Sequence, residues 1–160
     1  MPPPMNLGKI DLLLVEDDPN DLELSLRALR KRRLADKIHV ARDGEEALDF
    51  LFCRGDYAAR QFEEPPRVVI LDLKLPKING LEVLSYLKAD PRTRLVPVVV
   101  LTSSHEPRDM LRVYELGANS FIQKPIDYED FQTLIGELGH YWIFVNQCVA
   151  PNSFVSAKDT

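Results

Sequence analysis

In this chain acids, a hydroxyl and a lysine recur at one kind of place, the residue or two after a short stretch that reads as a strand. Glu16 and Asp17 follow the run 10–15, Asp72 follows 68–71, Thr102 follows 96–101, and Lys124 follows 119–123. If the runs are parallel strands, these ends converge on one edge of a sheet, where ligands of open α/β proteins bind. Three carboxylates gathered there repel one another unless a cation joins them. Oxygen donors without His or Cys favour a hard ion, Mg2+ or Mn2+. Lys124 adds a fixed positive charge and Thr102 a hydroxyl, so such a site is suited to a phosphoryl group. Asp72 is then the candidate nucleophile, because carboxylates form aspartyl-phosphates.

The elements that must position these groups are readable in order. Residues 68–71 are four apolar residues running into Asp72, with Lys74 and Pro76 closing the stretch. A short β-branched run of this kind reads as a central strand buried on both faces. A first strand is expected over 9–15, followed by a helix with Asp18 as N-cap, Pro19 in its first turn and Leu22, Leu26 and Leu29 at helical spacing. The basic run 30–33 ends that helix and suits the negative end of its dipole. A strand over 38–41 and a helix carrying Ala47, Leu48, Leu51 and Phe52 come next, then a connecting loop over 54–66. Asn79 and Gly80 turn into a third helix, stopped at Asp90 and Pro91. A strand over 96–101, a helix from Pro107 to Leu116 stopped by Gly117, a strand over 119–123 and a helix capped by Asp127 complete the pattern. Strand and helix alternate five times, which gives a doubly wound, five-stranded parallel sheet with about five helices on its two faces.

The bulk properties leave room for this and exclude much else. The 160 residues suit one domain, and the net charge of −5 argues against a general nucleic-acid surface. Cys53 and Cys148 stand far apart and the three histidines are scattered, so neither a disulfide framework nor a zinc site is expected. No apolar run approaches the roughly 20 residues of a membrane span, and the start lacks the features of a signal peptide. The expected location is cytoplasmic, with no nucleic-acid or membrane partner. Residues 1–8 are expected to be a disordered amino terminus, 9–146 the folded domain, and 147–160 a flexible tail.

Taken together, the pieces resemble the receiver domain of two-component response regulators over about 9–138. The matching residues are Val15 to Asp18, Leu71 to Leu73, Leu75 and Pro76 with Asn79 and Gly80, Leu101 to Ser103, and Lys124 with Pro125. Each piece is common; all of them in order are highly specific. The resemblance implies the flavodoxin-like receiver fold and a phosphoryl group accepted by Asp72 from a histidine kinase. It implies that Asp17, Asp72 and the main-chain carbonyl of Lys74 bind Mg2+, with Glu16 assisting through water. It also implies that Thr102 and Lys124 contact the phosphoryl oxygens, that Thr102 and Phe121 form a switch pair, and that Lys124 and Pro125 are joined by a cis peptide. In this reading the chain is no enzyme for a separate substrate, but a phosphoacceptor that supports its own Mg2+-dependent phosphorylation and dephosphorylation. Phe121 departs from the tyrosine common at its position, and Glu16 from the commoner Asp. More narrowly, residues 50–57 and 141–144, with Asp90, Pro91, Val96 and Pro97, resemble stand-alone regulators paired with cyanobacterial phytochromes.

Other functions fit less well. A lone Asp72 would be a capping or turn residue, but Asp17, Thr102 and Lys124 in register argue otherwise. An aspartyl-phosphate phosphohydrolase resembles a strand ending in Asp-x-Asp, and position 74 is lysine. No glycine-rich nucleotide motif occurs. A binding-only relative would be expected to lack some of the site, and all of it is present. About twenty residues follow the last helical stripe, too few for a DNA-binding domain, so output is expected through contacts with a downstream protein. The apolar cluster Trp142 to Val145 lies beyond that stripe. It could cover the chain's own core, but the stripe is already complete, and Tyr141, Trp142 and Phe144 are therefore expected to form a homodimer surface.

Overall fold

The computed structural model describes residues 7–149. Five strands alternate with five helices: β1 (Leu12–Val15), α1 (Pro19–Lys31), β2 (Ile38–Ala41), α2 (Gly44–Leu51), β3 (Val68–Leu71), α3 (Gly80–Ala89), β4 (Val98–Thr102), α4 (Pro107–Glu115), β5 (Ser120–Gln123) and α5 (Tyr128–His140). All pairings are parallel, in the order β2-β1-β3-β4-β5. The chain winds from β1 to one edge and from β3 to the other, so the strand order reverses between β1 and β3. The expectations for 1–8 and 147–160 fall largely outside the described residues.

Side chains alternate along the strands and divide the interior in two. Leu13, Val15, Val69, Leu71, Val98 and Val100 pack with residues of α2, α3 and α4 in one cluster. Leu12, Leu14, Val68, Ile70, Val99 and Leu101 pack with α1 and α5 in the other. β1, β3 and β4 are buried at every position, as expected of strands covered on both faces.

Helix starts match their sequence signals. The Asp18 carboxylate accepts from the N–H of Asn20 and Asp21, with Pro19 in the first turn. Asp127 caps α5 in the same way, as expected, and Asp43 and Asn79, each read from the sequence as the start of a turn, cap α2 and α3. Strand starts differ from expectation. β1 opens at Leu12 rather than residue 9, because both neighbours, Ile38 and Val68, begin opposite Leu12. β4 opens at Val98 rather than residue 96, since the Val96 N–H is taken by a turn to Thr93 and Pro97 has none to give. The loop after α2 contains a 3-10 turn at Gly55–Tyr57.

Two glycines fix the loop between β3 and α3. A Cβ on Gly80 would collide with the Asp72 carbonyl, and one on Gly44 with that of Ile78. The loop therefore lies backbone against backbone on the strand end and on the start of α2.

The apolar tail continues the last helix instead of leaving it. Tyr141–Val145 forms a π-helical turn, closed by the Asn146 N–H on the Tyr141 carbonyl at 2.7 Å. Ile143 is buried in the α1/α5 cluster and Trp142 is half-buried against it. Trp142 thus faces the chain's own core at least in part, while Tyr141, Phe144 and Val145 are exposed. No helix among the described residues is long and apolar enough to cross a membrane.

Candidate functional site

The site lies where the strand order reverses, at the carboxyl ends of β1 and β3. Glu16 follows Val15 and Asp72 follows Leu71, residues that are partners in the ladder. Each continues the row of its strand that faces α1 and α5. Lys124, following β5, continues the same row through Ile122. Alternation alone therefore sends these three groups toward the same side of the sheet.

The Lys124 ammonium joins them. Its Nζ lies 2.6 Å from Glu16 Oε1, 2.8 Å from Asp21 Oδ2 and 2.9 Å from Asp72 Oδ2. The lysine side chain is 9% exposed, Glu16 4% and Asp72 8%, so these charges are almost out of water. Burial and the negative charge of Asp72 push the Glu16 carboxyl up to about 8, against the pull of Lys124. Burial opposes the charged form of Lys124, but its hydrogen bonds to Asp21 and Glu16 and the charges of Glu16 and Asp72 outweigh this and raise its pKa.

Asp17 completes an acid cluster. One carboxylate oxygen each from Glu16, Asp17 and Asp72 lies within 4.8 Å of the others. Asp17 is exposed and closes the cluster from the solvent side. An oxygen-only set of this size, two members of it buried, fits a hard divalent cation. Lys74 is exposed, and its N–H donates to Asp72 Oδ1 at 3.3 Å, which orients the acid.

Thr102 ends β4 beside this group and is fully buried. It continues the opposite row, with Val98 and Val100, and Phe121 pairs with Val100 on β5. Phe121 is half-buried against the α2/α3/α4 cluster, so Thr102 and Phe121 occupy one face and the charged groups the other. The Lys124 N–H donates to the Thr102 carbonyl at 2.8 Å, which ties the two rows together. The Thr102 hydroxyl accepts from the Ser104 N–H at 3.2 Å. Ser104 Oγ accepts from the Glu106 N–H and donates to Asp109 Oδ2 at 2.6 Å, ordering the turn into α4.

Sequence reasoning brought together Glu16, Asp17, Asp72 and Lys124, with Thr102 and Lys74 alongside. It missed Asp21, whose place in the first turn of α1 reads as a partner for the helix dipole. No local signal in the sequence separates it from an ordinary first-turn acid. The expected cis bond between Lys124 and Pro125 is absent: the peptide bonds of the described residues are all trans. Trans is the lower-energy isomer before proline, and with it Lys124 reaches the acids as described.

Comparison with known proteins follows the same lines. The sequence profile of the response regulator receiver domain matches residues 12–136. The chain is 39% identical over 140 residues to the probable methanogenesis regulatory protein FilR2 of Methanothrix harundinacea, covering 88% of each. It is 34% identical to response regulator Rcp1 of Synechocystis sp., covering 82% of this chain and 88% of that one. The crystal structure of Mn2+-bound Rcp1 superposes with a TM-score of 0.80, covering 89% of this chain and all of that one at 33% identity. The crystal structure of the phosphorylated cyanobacterial phytochrome response regulator RcpA also superposes at 0.80, with 31% identity, 89% of this chain and 99% of that one covered. The fold, the order of its motifs and these similarities agree, and the chain belongs to the response regulator receiver domain family.

Proposed function

We propose that this receiver domain accepts a phosphoryl group on Asp72 from a histidine kinase, and that the kinase is of the phytochrome class. The observation that carries the reading is the buried ammonium of Lys124, held among Glu16, Asp21 and Asp72 at the point where the strand order reverses. Phosphorylation of RcpA and its description as a phytochrome regulator support the donor class.

In the transfer, a carboxylate oxygen of Asp72 forms a bond to phosphorus as the bond from phosphorus to the kinase's histidine nitrogen breaks. The departing imidazole keeps the electron pair of that bond. Lys124 supplies N–H donors to the phosphoryl oxygens, and the Lys74 N–H holds the Asp72 carboxylate in place. Thr102 donates its hydroxyl to the new charge, and Phe121, on the same face, follows it inward. A divalent cation, Mg2+ or Mn2+, would be held by Asp17, Asp72 and the Lys74 carbonyl with Glu16 assisting; when bound it neutralises charge on the transferred group. The Mn2+-bound form of Rcp1 supports that assignment.

Output passes through protein contacts. The exposed Tyr141 and Phe144 favour a homodimer through the end of α5, with Trp142 at its margin. Sedimentation tests this: a dimer is expected at micromolar concentration, and a monomer there removes it. The phosphoacceptor is tested by intact mass after incubation with a small acyl phosphate and Mg2+. Wild type gains one phosphoryl group and Asp72→Asn gains none; equal labelling of both would remove Asp72 from its role.

A further inference from the structure

Asp21 is the one partner of the Lys124 ammonium that lies outside the acid cluster. An ammonium has three N–H donors, and the contacts to Glu16, Asp21 and Asp72 use all of them. Glu16 and Asp72 also share the cluster with Asp17, where their oxygens converge; Asp21 does not. Any cation or phosphoryl group that engages the cluster competes for the Glu16 and Asp72 oxygens. The contact to Asp21 is the one such competition leaves in place.

Asp21 is also built to hold still. It sits in the first turn of α1, where its own N–H is fixed by the Asp18 cap at 3.2 Å. The next residue, Leu22, is buried in the α1/α5 cluster and locks that turn to the sheet. An acid in a first helical turn ordinarily faces water and interacts with the dipole. This one is 28% exposed and reaches a lysine 103 positions away. Lysine has a long stem with several free torsions, and fixing its tip costs rotamer entropy that an anchored partner offsets.

We propose that Asp21 is a positioning residue for Lys124, keeping the ammonium where it can meet a phosphoryl group on Asp72. The inference rests on the phosphoacceptor reading. Asp21→Asn retains an acceptor oxygen but loses the charge; Asp21→Ala loses both.

Two readouts test it. In metal-free protein with 15N-labelled lysine, the Lys124 ammonium is expected to give a sharp Nζ resonance because its three hydrogen bonds slow proton exchange. That resonance is expected to persist in Asp21→Asn and to broaden beyond detection in Asp21→Ala. With a small acyl phosphate and Mg2+, labelling of Asp72 is expected to slow about tenfold in Asp21→Ala and two- to threefold in Asp21→Asn. If Asp21→Ala keeps both the resonance and the wild-type rate, Asp21 serves only the helix and the proposal is overturned, whatever the melting temperature does. Should Asp72→Asn label as fast as wild type, the phosphoacceptor reading fails, while the resonance still reports whether Asp21 anchors the lysine.

Discussion

Removing the charge of Asp72 is expected to stabilise the metal-free protein, although Asp72 makes an ion pair. The Lys124 ammonium lies 2.9 Å away, an attraction of about 6 kcal/mol at an effective dielectric of 20. Against it stands the repulsion of Asp17, whose oxygen lies within 4.8 Å. Glu16 competes as well: burial and the Asp72 charge push its carboxyl up to about 8, so the two buried acids contend for one negative charge. Water weakens the share of the exposed Asp17, but the cost of burying the Asp72 charge acts in the same direction as the repulsion. With Asp72 neutral, Glu16 ionises more readily beside Lys124 and asparagine still offers Lys124 an oxygen, so the variant is favoured by roughly 1 kcal/mol, the worth of about one pKa unit of relief at Glu16. For a domain of this size that raises Tm by about 2–4 °C. A divalent cation held as proposed is expected to reverse the order, because Asp72 would be one of its ligands and the variant lacks it. At ten times its Kd a cation adds about 1.4 kcal/mol to the folded state. The assay is thermal unfolding of wild type and Asp72→Asn, in chelator and across a Mg2+ titration. The variant should melt higher in chelator, and wild type should overtake it with Mg2+. A variant that melts lower in chelator, or a wild type indifferent to Mg2+, would refute the reasoning.

Three further outcomes follow from packing and burial. Ile143→Ala empties a buried position in the α1/α5 cluster and should cost about 2 kcal/mol in urea unfolding, whereas Phe144→Ala, at an exposed position, should change stability by under about 0.5 kcal/mol. Gly80→Ala forces a methyl group into the Asp72 carbonyl and should lower stability by about 3 kcal/mol or more; a urea midpoint within error of wild type would contradict the close approach. Burial pushes the Lys88 ammonium down to about 8 from its ordinary 10.5, and a neutral amine still has two N–H donors for the Arg94 and Val96 carbonyls. Between those values the unfolded chain binds a proton that the folded chain has released, so stability should rise with pH across that window and level off below it. Lys88→Met should flatten that part of the profile, and an unchanged slope would count against the shift.

Most of the fold was legible because its signals are local. β1, β3 and β4 are buried on both faces, so their apolar runs are unbroken, and each of Asp18, Asp43, Asn79 and Asp127 is a capping side chain directly before a helix. The acids of the site were legible because they follow such runs, and Lys124 because it stands before Pro125 at the end of a strand. What escaped depends on packing between distant segments. Asp21 carries no mark distinguishing it from an ordinary first-turn acid until α1 is laid against the sheet. Ile143 and Trp142 looked surplus to a complete helical stripe, and only the wide turn after His140 brings them back onto the core. The start of β4 was set by where Pro97 interrupts the ladder and by a turn that claims Val96, neither of which periodicity records.

The two glycine contacts make the surroundings of Asp72 mechanically lopsided. On the side of α2 and α3 the peptide planes touch directly at Gly44 and Gly80, with no side chain between them to rotate out of the way. That wall can yield only by parting main chain from main chain. Toward β4 and β5 the fit is made by a hydroxyl, a half-buried ring and a loop pinned through Ser104, all of which adjust by torsion. An added load at the strand end therefore meets a rigid stop in one direction and a hinged surface in the other.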